Sequence, residues 1–435
     1  MGNRSLSADR RELIKSLNYL GSWCLIALVG GILGVVLTGG FLFALDKALN
    51  SWVNLGWHII LVAVSGALLA GIISRIEPES RGEGIPSYIR GVEENGGYLS
   101  FKATIVKLFS SLATLATWGN GGIVGPIGRV TAGLTSTLVG LFRSERSDFA
   151  LRRTAAICGM ASVLAVVTGA PIGSGIFSVE IAQRRNMRYG DIFPAVLSSS
   201  FAVFLSGAVG IAPLWNIEMM GVNVGFRHLP ALLVTILLAA AGGRLFEIFY
   251  GTVSGFLRRE APRGVEARFV LATFIAVAAA WAVNPLMVGT GRTFTNLLLT
   301  DPSTAMGRLD GLVPLFAALL VMILIRSLAV GLTVGSGQSA GFFAPLAQIG
   351  MLIGTLSAVF FGFGGAPNEL RILQSAGMAG ILAGTLNIPI AAAVISVEIF
   401  GPDLGLPVAL AAVLGFQVNR HHTVYDAGPG GRPDF

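Results

Sequence analysis

Three glycine-rich segments, each with a proline at or near its end, carry the chemistry this chain has to offer: Gly82 to Pro86 (GEGIP), Gly119 to Gly128 (GNGGIVGPIG) and the stretch GSGQSAGFFAP that closes at Pro345. Proline sits comfortably in the first turn of a helix, where its missing N–H would have no partner anyway, so each segment predicts a helix start. A helix start presents unbonded N–H donors and roughly half a positive charge. Several of them converging on one point make a site for a small anion without any formal cation. A buried lysine or arginine in their place would hold the ion too tightly for fast release.

Such segments have to be positioned inside a membrane. The 435 residues are 53% hydrophobic and 12% charged, with a mean hydropathy of +0.75, whereas soluble domains carry about 25% charged side chains. Five charge-free stretches are long enough for a hydrocarbon core that needs roughly 20 helical residues: Ser16 to Leu45, Thr154 to Val179, Ile192 to Ile217, Phe269 to Gly291 and Ile372 to Val397. A sixth, Ser327 to Asn368, is too long for one helix and must break at its glycine-rich middle. Irregular backbone is tolerated at membrane depth only where protein buries it or a wet cavity meets it.

The chain also repeats itself. At an offset of 218, Gly159 to Ile181 (GMASVLAVVTGAPIGSGIFSVEI) matches Gly377 to Ile399 (GMAGILAGTLNIPIAAAVISVEI) at 11 of 23 positions, and at 219 GIVGP of Gly122 to Pro126 falls on GFFAP of Gly341 to Pro345. Paired interruptions in two halves point to an inverted repeat with its site near the midplane. The expected organisation is an N-terminal segment (1–15), a first repeat (16–217), a second repeat (218–422) and a short C-terminal segment (423–435).

The net charge of +7 sits in short connections, Arg143 to Arg153, Arg184 to Arg188 and Arg258 to Arg268, as the positive-inside rule requires; no nucleic-acid partner is expected. The polar, basic first fifteen residues lead into a span longer than any signal-peptide core, so no cleavable signal is expected. Both termini are placed in the cytoplasm and the protein in the cell membrane. Cys24 and Cys158 stand in separate spans without CxxC spacing, which makes them packing residues. His421 and His422 are adjacent and lack a carboxylate partner, so no metal or cofactor is expected. His58 is packed or interfacial, and Arg326 snorkels or holds backbone carbonyls. A paired nucleophile and base is absent from the spans, which excludes an intramembrane hydrolase. Glycine, at 58 residues, is about twice as frequent as in average proteins, as suits close helix crossings.

At this point the sequence resembles the CLC family of chloride channels and chloride/proton antiporters over nearly its whole length. GEGIP, GIVGP and GFFAP are similar to that family's GSGIP, GREGP and GIFAP, and Tyr425 in QVNRHHTVYDA falls where the family has its terminal pore tyrosine. The resemblance implies an all-α polytopic fold, an inverted repeat of tilted and broken helices, and a homodimer with one pore per subunit. It implies anion ligands at the three helix starts (Glu83, Gly84 and Ile85; Val124 and Gly125; Phe342 and Phe343) together with the Tyr425 hydroxyl. Since the chain ends ten residues after Tyr425, no nucleotide-binding pair is expected to follow.

Three positions depart from the pattern. Val124 stands where antiporters carry a gating glutamate, and Ile181 stands in register with their inner proton-transfer glutamate, with Glu180 one place earlier. Neither Val124 nor Ile181 can exchange a proton, so passive chloride flux is the leading expectation. The third departure is Glu83, which replaces a serine facing the central anion site. Its carboxylate either turns to the mouth and pairs with Arg81 or Arg90, or serves as a pH gate; an acidic group at membrane depth is costly and hence a functional candidate. The alternatives are an anion/proton antiporter, for chloride or fluoride, that uses Glu83 in place of the lost glutamate. Glu180 and Glu398, equivalent in the two copies, are expected to form a structural hydrogen-bonded pair.

Overall fold

The structure, a computed structural model, describes residues 2–142, 148–183, 187–215, 217, 221–259 and 264–426. Parts of the three basic connections and residues 427–435 lie outside the described residues. Among the described residues the chain forms helices and no extended sheet. The first half holds α1 (Gly2–Trp52), α2 (Ile59–Ile76), α3 (Ile85–Glu93), α4 (Phe101–Leu115), α5 (Val124–Phe142), α6 (Asp148–Thr168), α7 (Pro171–Glu180) and α8 (Tyr189–Ala208). The second holds α9 (Leu229–Arg259), α10 (Val265–Val283), α11 (Arg292–Thr300), α12 (Leu315–Gly335), α13 (Phe343–Phe360), α14 (Pro367–Leu386), α15 (Pro389–Phe400) and α16 (Gly405–Asn419).

Among the described residues, eight helices are long and apolar enough to cross a membrane. Large apolar side chains stay exposed on the outer ones, among them Phe43, Leu68, Phe204, Leu237 and Phe274. In water such surfaces would drive association; against lipid they are the solvated state. The interior is formed by the central turns of α5, α6, α13 and α14, which are buried. Small residues let these helices touch: a methyl group on Gly377 would lie 2.1 Å from the Gly350 carbonyl oxygen, which is the close approach that membrane helices achieve with glycine.

Two of the five charge-free stretches are not single spans. Thr154 to Val179 divides into α6 and α7 at Gly169 and Pro171, and Ile372 to Val397 divides into α14 and α15 at Asn387 and Pro389. In both, a residue with positive φ (73° at Gly169, 63° at Asn387) ends one helix, and proline, unable to continue it, starts the next. The helix α1 runs from Gly2 to Trp52, and its membrane-length apolar part is Leu20–Ser51.

The two halves meet in matched contacts. Gly122 and Gly341 exchange backbone hydrogen bonds, each N–H donating to the other's carbonyl at 2.7 Å. Glu180 accepts from the N–H groups of Ile390 (3.1 Å) and Ala391 (2.7 Å), while Glu398 accepts from Ile172 (3.0 Å) and Gly173 (2.7 Å). The two glutamates are thus not bonded to one another. Each caps the first turn of the other half's helix, α15 or α7, where orphan N–H groups and the positive end of the helix favour a carboxylate.

Candidate functional site

The breaks aim three helix starts at one point. Gly84 precedes α3 with φ of 109°, a conformation closed to side chains with a Cβ, and it turns the chain so that Ile85 and Pro86 open the helix. Val124 opens α5 and Phe343 opens α13. Methyl groups placed on two of the glycines measure how tightly these starts converge. One on Gly125 would fall 2.2 Å from Glu83 Oε1, and one on Gly84 would fall 2.8 Å from the Gly125 carbonyl oxygen.

At the point of convergence lies the Glu83 side chain. Its carboxylate accepts a hydrogen bond from the Ile85 N–H at 2.7 Å and a longer one from the Phe342 N–H at 3.4 Å. The residue is buried, at 5% exposure. Among the described residues, Lys107 is the cation whose charge bears on it. The pairing with Arg81 or Arg90 considered from sequence is therefore not the arrangement found: backbone donors hold the carboxylate. The physical reason is that two helix starts supply donors and partial positive charge at once, with no long side chain to immobilise.

The remaining sequence-predicted positions lie at the start of α5, at the start of α13 and in the apolar core. Val124 and Gly125 form the start of α5 beside the Glu83 carboxylate, and Phe342 and Phe343 bring their chain in from the other half. The Phe342 ring is wedged among Tyr250 (ring centroids 4.8 Å apart), Phe246 (5.9 Å) and Tyr425 (6.3 Å), and Phe343 packs edge-on against Phe177 at 5.8 Å. Tyr425 is buried against the same ring. Ile181 follows the end of α7 in the apolar core.

Two cavities end on the loops that flank the cluster. One, of about 290 Å³, has Gly84 and Ser87 in its wall together with Arg81, Arg90, Arg258 and Arg268. The other, of about 440 Å³, has Gly122, Ile123 and Ala344 in its wall together with Trp118, Asp46 and Arg292. Glu83, Val124, Phe342, Phe343 and Tyr425 line neither cavity and are all at most 5% exposed. Both cavities thus reach loops next to a buried cluster in which the Glu83 carboxylate takes the N–H groups of Ile85 and Phe342.

Sequence reasoning passed over two cations. Lys107 on α4 is fully buried, its ammonium donating to the carbonyls of Ser80 (3.0 Å) and Gly82 (2.7 Å) and so tying down the loop that carries Glu83. Arg129 on α5 is equally buried, donates from Nε to Ser87 Oγ at 3.3 Å, bonds Thr104 and pairs with Glu79 at 3.6 Å. The signal for both was a lone charge inside an apolar run, which at membrane depth is a functional candidate by default. Arg326 holds the carbonyls of Met287 (2.7 Å), Gly289 (3.0 Å) and Thr290 (2.9 Å) and reaches Asn120 Oδ1 at 3.4 Å, bracing the loop ahead of GIVGP.

Comparison with known proteins agrees with this geometry. The chain is 24% identical over 419 residues to an uncharacterized protein of Methanocaldococcus jannaschii, covering 95% of this chain and 96% of the relative. It is 23% identical over 420 residues to a chloride/fluoride channel protein of Pseudomonas syringae pv. tomato, covering 96% and 88%. Its fold matches the crystal structure of a slow cyanobacterial Cl⁻/H⁺ antiporter with a TM-score of 0.76 at 19% identity, over 92% of this chain and 94% of that one. The family model described as voltage gated chloride channel matches residues 61–420. With the broken helices, the matched halves and the convergent helix starts, that match shows that the chain belongs to the voltage-gated chloride channel family, the CLC anion channels and antiporters.

Proposed function

We propose that this protein is a passive chloride channel whose pathway is closed by the Glu83 carboxylate and opened by its protonation. One observation carries the reading: the carboxylate accepts from the Ile85 and Phe342 N–H groups, donors that two helix starts would otherwise offer to an anion. An ionised carboxylate and a chloride compete for the same N–H groups. A protonated one is a weaker acceptor and carries no charge, so acid frees the donors. The ligand set of the open state is then the backbone at Gly84 and Ile85, at Val124 and Gly125 and at Phe342 and Phe343, with the Tyr425 hydroxyl. Val124 at the outer gate position and Ile181 at the inner one support uncoupled flux, because neither side chain holds a proton. We assign the repeats to residues 16–217 and 218–422 and the assembly to a homodimer with one pore per subunit, set in the cell membrane with both termini cytoplasmic.

Glu83 itself supports a second reading. A carboxylate in this buried cluster could carry a proton one way as chloride, or fluoride, passes the other, which would make the protein an antiporter. Purified protein in liposomes separates the two. With a potassium ionophore clamping the voltage, the channel releases chloride down its gradient while internal pH stays constant. Protons driven uphill by a chloride gradient would overturn the passive reading in favour of exchange.

A further inference from the structure

The cavity that reaches Gly84 is larger and more basic than passage of a halide requires. A chloride ion is about the size of a water molecule, whose share of liquid volume is about 30 Å³, whereas this cavity measures about 290 Å³. Four arginines contribute to its wall: Arg81 from the loop before α3, Arg90 from α3, Arg258 from the end of α9 and Arg268 from the first turn of α10. Two are anchored through Nε, Arg81 to the Ser74 carbonyl at 3.3 Å and Arg258 to the Ser254 carbonyl at 3.2 Å, which fixes where their guanidinium groups lie.

Arg268 is the telling member. Among the described residues it makes no ion pair, its Nε is buried without a hydrogen-bond partner, and its charged neighbours are Arg81 and Arg258. A half-buried guanidinium with only cations beside it is costly unless an anion completes the cluster. Among the described residues the nearby carboxylates leave Arg268 without a counter-ion: Glu79, in the cavity wall, pairs with Arg129, and Glu266 pairs with Arg75 while its charge also bears on Arg81. We propose that this cavity is a binding site for a polyatomic oxyanion of the phosphoryl class, gripped by Arg268, Arg258 and Arg81. A guanidinium fork matches two oxygens of one phosphoryl group, which a spherical halide does not supply, and a multiply charged ligand offsets several arginines together. Because the cavity wall includes Gly84, the occupied site covers the approach to Glu83 and inhibits anion flux. That consequence rests on the pathway proposed above; the binding does not.

The phosphoryl group can belong to a soluble phosphate or to the headgroup of an anionic lipid. Calorimetry of the purified full-length protein with inorganic diphosphate at constant chloride tests the site directly. One equivalent should bind per chain. Arg268→Gln and Arg258→Gln should each weaken it by ~10- to 100-fold, the worth of a charge-assisted pair of bonds. Arg268→Lys, which retains the charge and loses the fork, should fall between, while Arg292→Gln in the wall of the other cavity should leave affinity unchanged. Chloride efflux from neutral-lipid vesicles then identifies the source: inhibition by diphosphate assigns a soluble ligand, and inhibition only on doping with phosphatidate assigns the headgroup. A protein that binds diphosphate yet passes no chloride keeps the site and loses the pathway. Diphosphate affinity equal in wild type and Arg268→Gln, or neither binding nor phosphatidate sensitivity, overturns the proposal.

Discussion

The crossed caps of Glu180 and Glu398 make a prediction that depends on the symmetry of the fold. Each carboxylate takes two N–H groups from the first turn of the other half's short helix, with distances of 3.1 and 2.7 Å in one case and 3.0 and 2.7 Å in the other. Truncating either to alanine leaves two backbone donors without their acceptor in a protein interior. At about 1–3 kcal/mol per unsatisfied group, and with some relief from water at the half-exposed Ile172, the loss should be ~2–4 kcal/mol. Glutamine retains an oxygen acceptor but brings an NH₂ group to face the second N–H and gives up the charge at a helix start, so it should cost ~1–2 kcal/mol. Because the two caps are geometrically alike, Glu180→Gln and Glu398→Gln should lose the same amount to within ~0.5 kcal/mol, about the scatter expected for equivalent sites. The assay is denaturant unfolding of each variant in one detergent at neutral pH, followed by tryptophan fluorescence. A large loss at one position with none at the other would refute reciprocal capping, since then only one half would depend on its partner for a helix start.

Further outcomes follow from the buried cluster. Val124→Glu should slow chloride efflux in liposomes, because a second carboxylate at the start of α5 then competes with the anion for the same donors. Tyr425→Phe should weaken chloride binding by roughly 2- to 10-fold in calorimetry, the worth of one neutral hydrogen bond; an unchanged titration would leave Tyr425 as packing for Phe342. Lys107→Met should destabilise the fold by ~2–4 kcal/mol in the same unfolding assay, because the Ser80 and Gly82 carbonyls lose a charged donor.

Much of this architecture is readable from residue types. Gly-rich segments ending in proline cannot continue a helix at membrane depth, so the starts of α3, α5 and α13 announce themselves, and the self-match at offsets of 218 and 219 marks the paired halves. What stayed hidden depends on contacts across the chain. Glu83 is held by the N–H of Phe342, 259 residues away, and local sequence offered Arg81 and Arg90 as nearer partners. The glutamate caps were equally illegible, because equivalent positions in a repeat suggest that Glu180 and Glu398 meet each other. In an inverted arrangement each meets the start of the other's helix instead. Hydropathy alone ran α6 into α7 and α14 into α15, since a charge-free window does not register a proline break. Lys107 and Arg129 were visible as charges in apolar runs, yet their function is set by carbonyls and hydroxyls brought from α3, α4 and the loop at residues 80–82.

The most direct test of the central claim follows chloride efflux from liposomes for wild type and Glu83→Gln across about pH 4.5 to 7.5, a window that brackets carboxylate titration in a buried setting. If the carboxylate occupies the anion's donors, wild-type efflux rises as pH falls, whereas Glu83→Gln conducts at every pH and is not activated by acid. Identical profiles for the two proteins would contradict the account and remove Glu83 from the pathway.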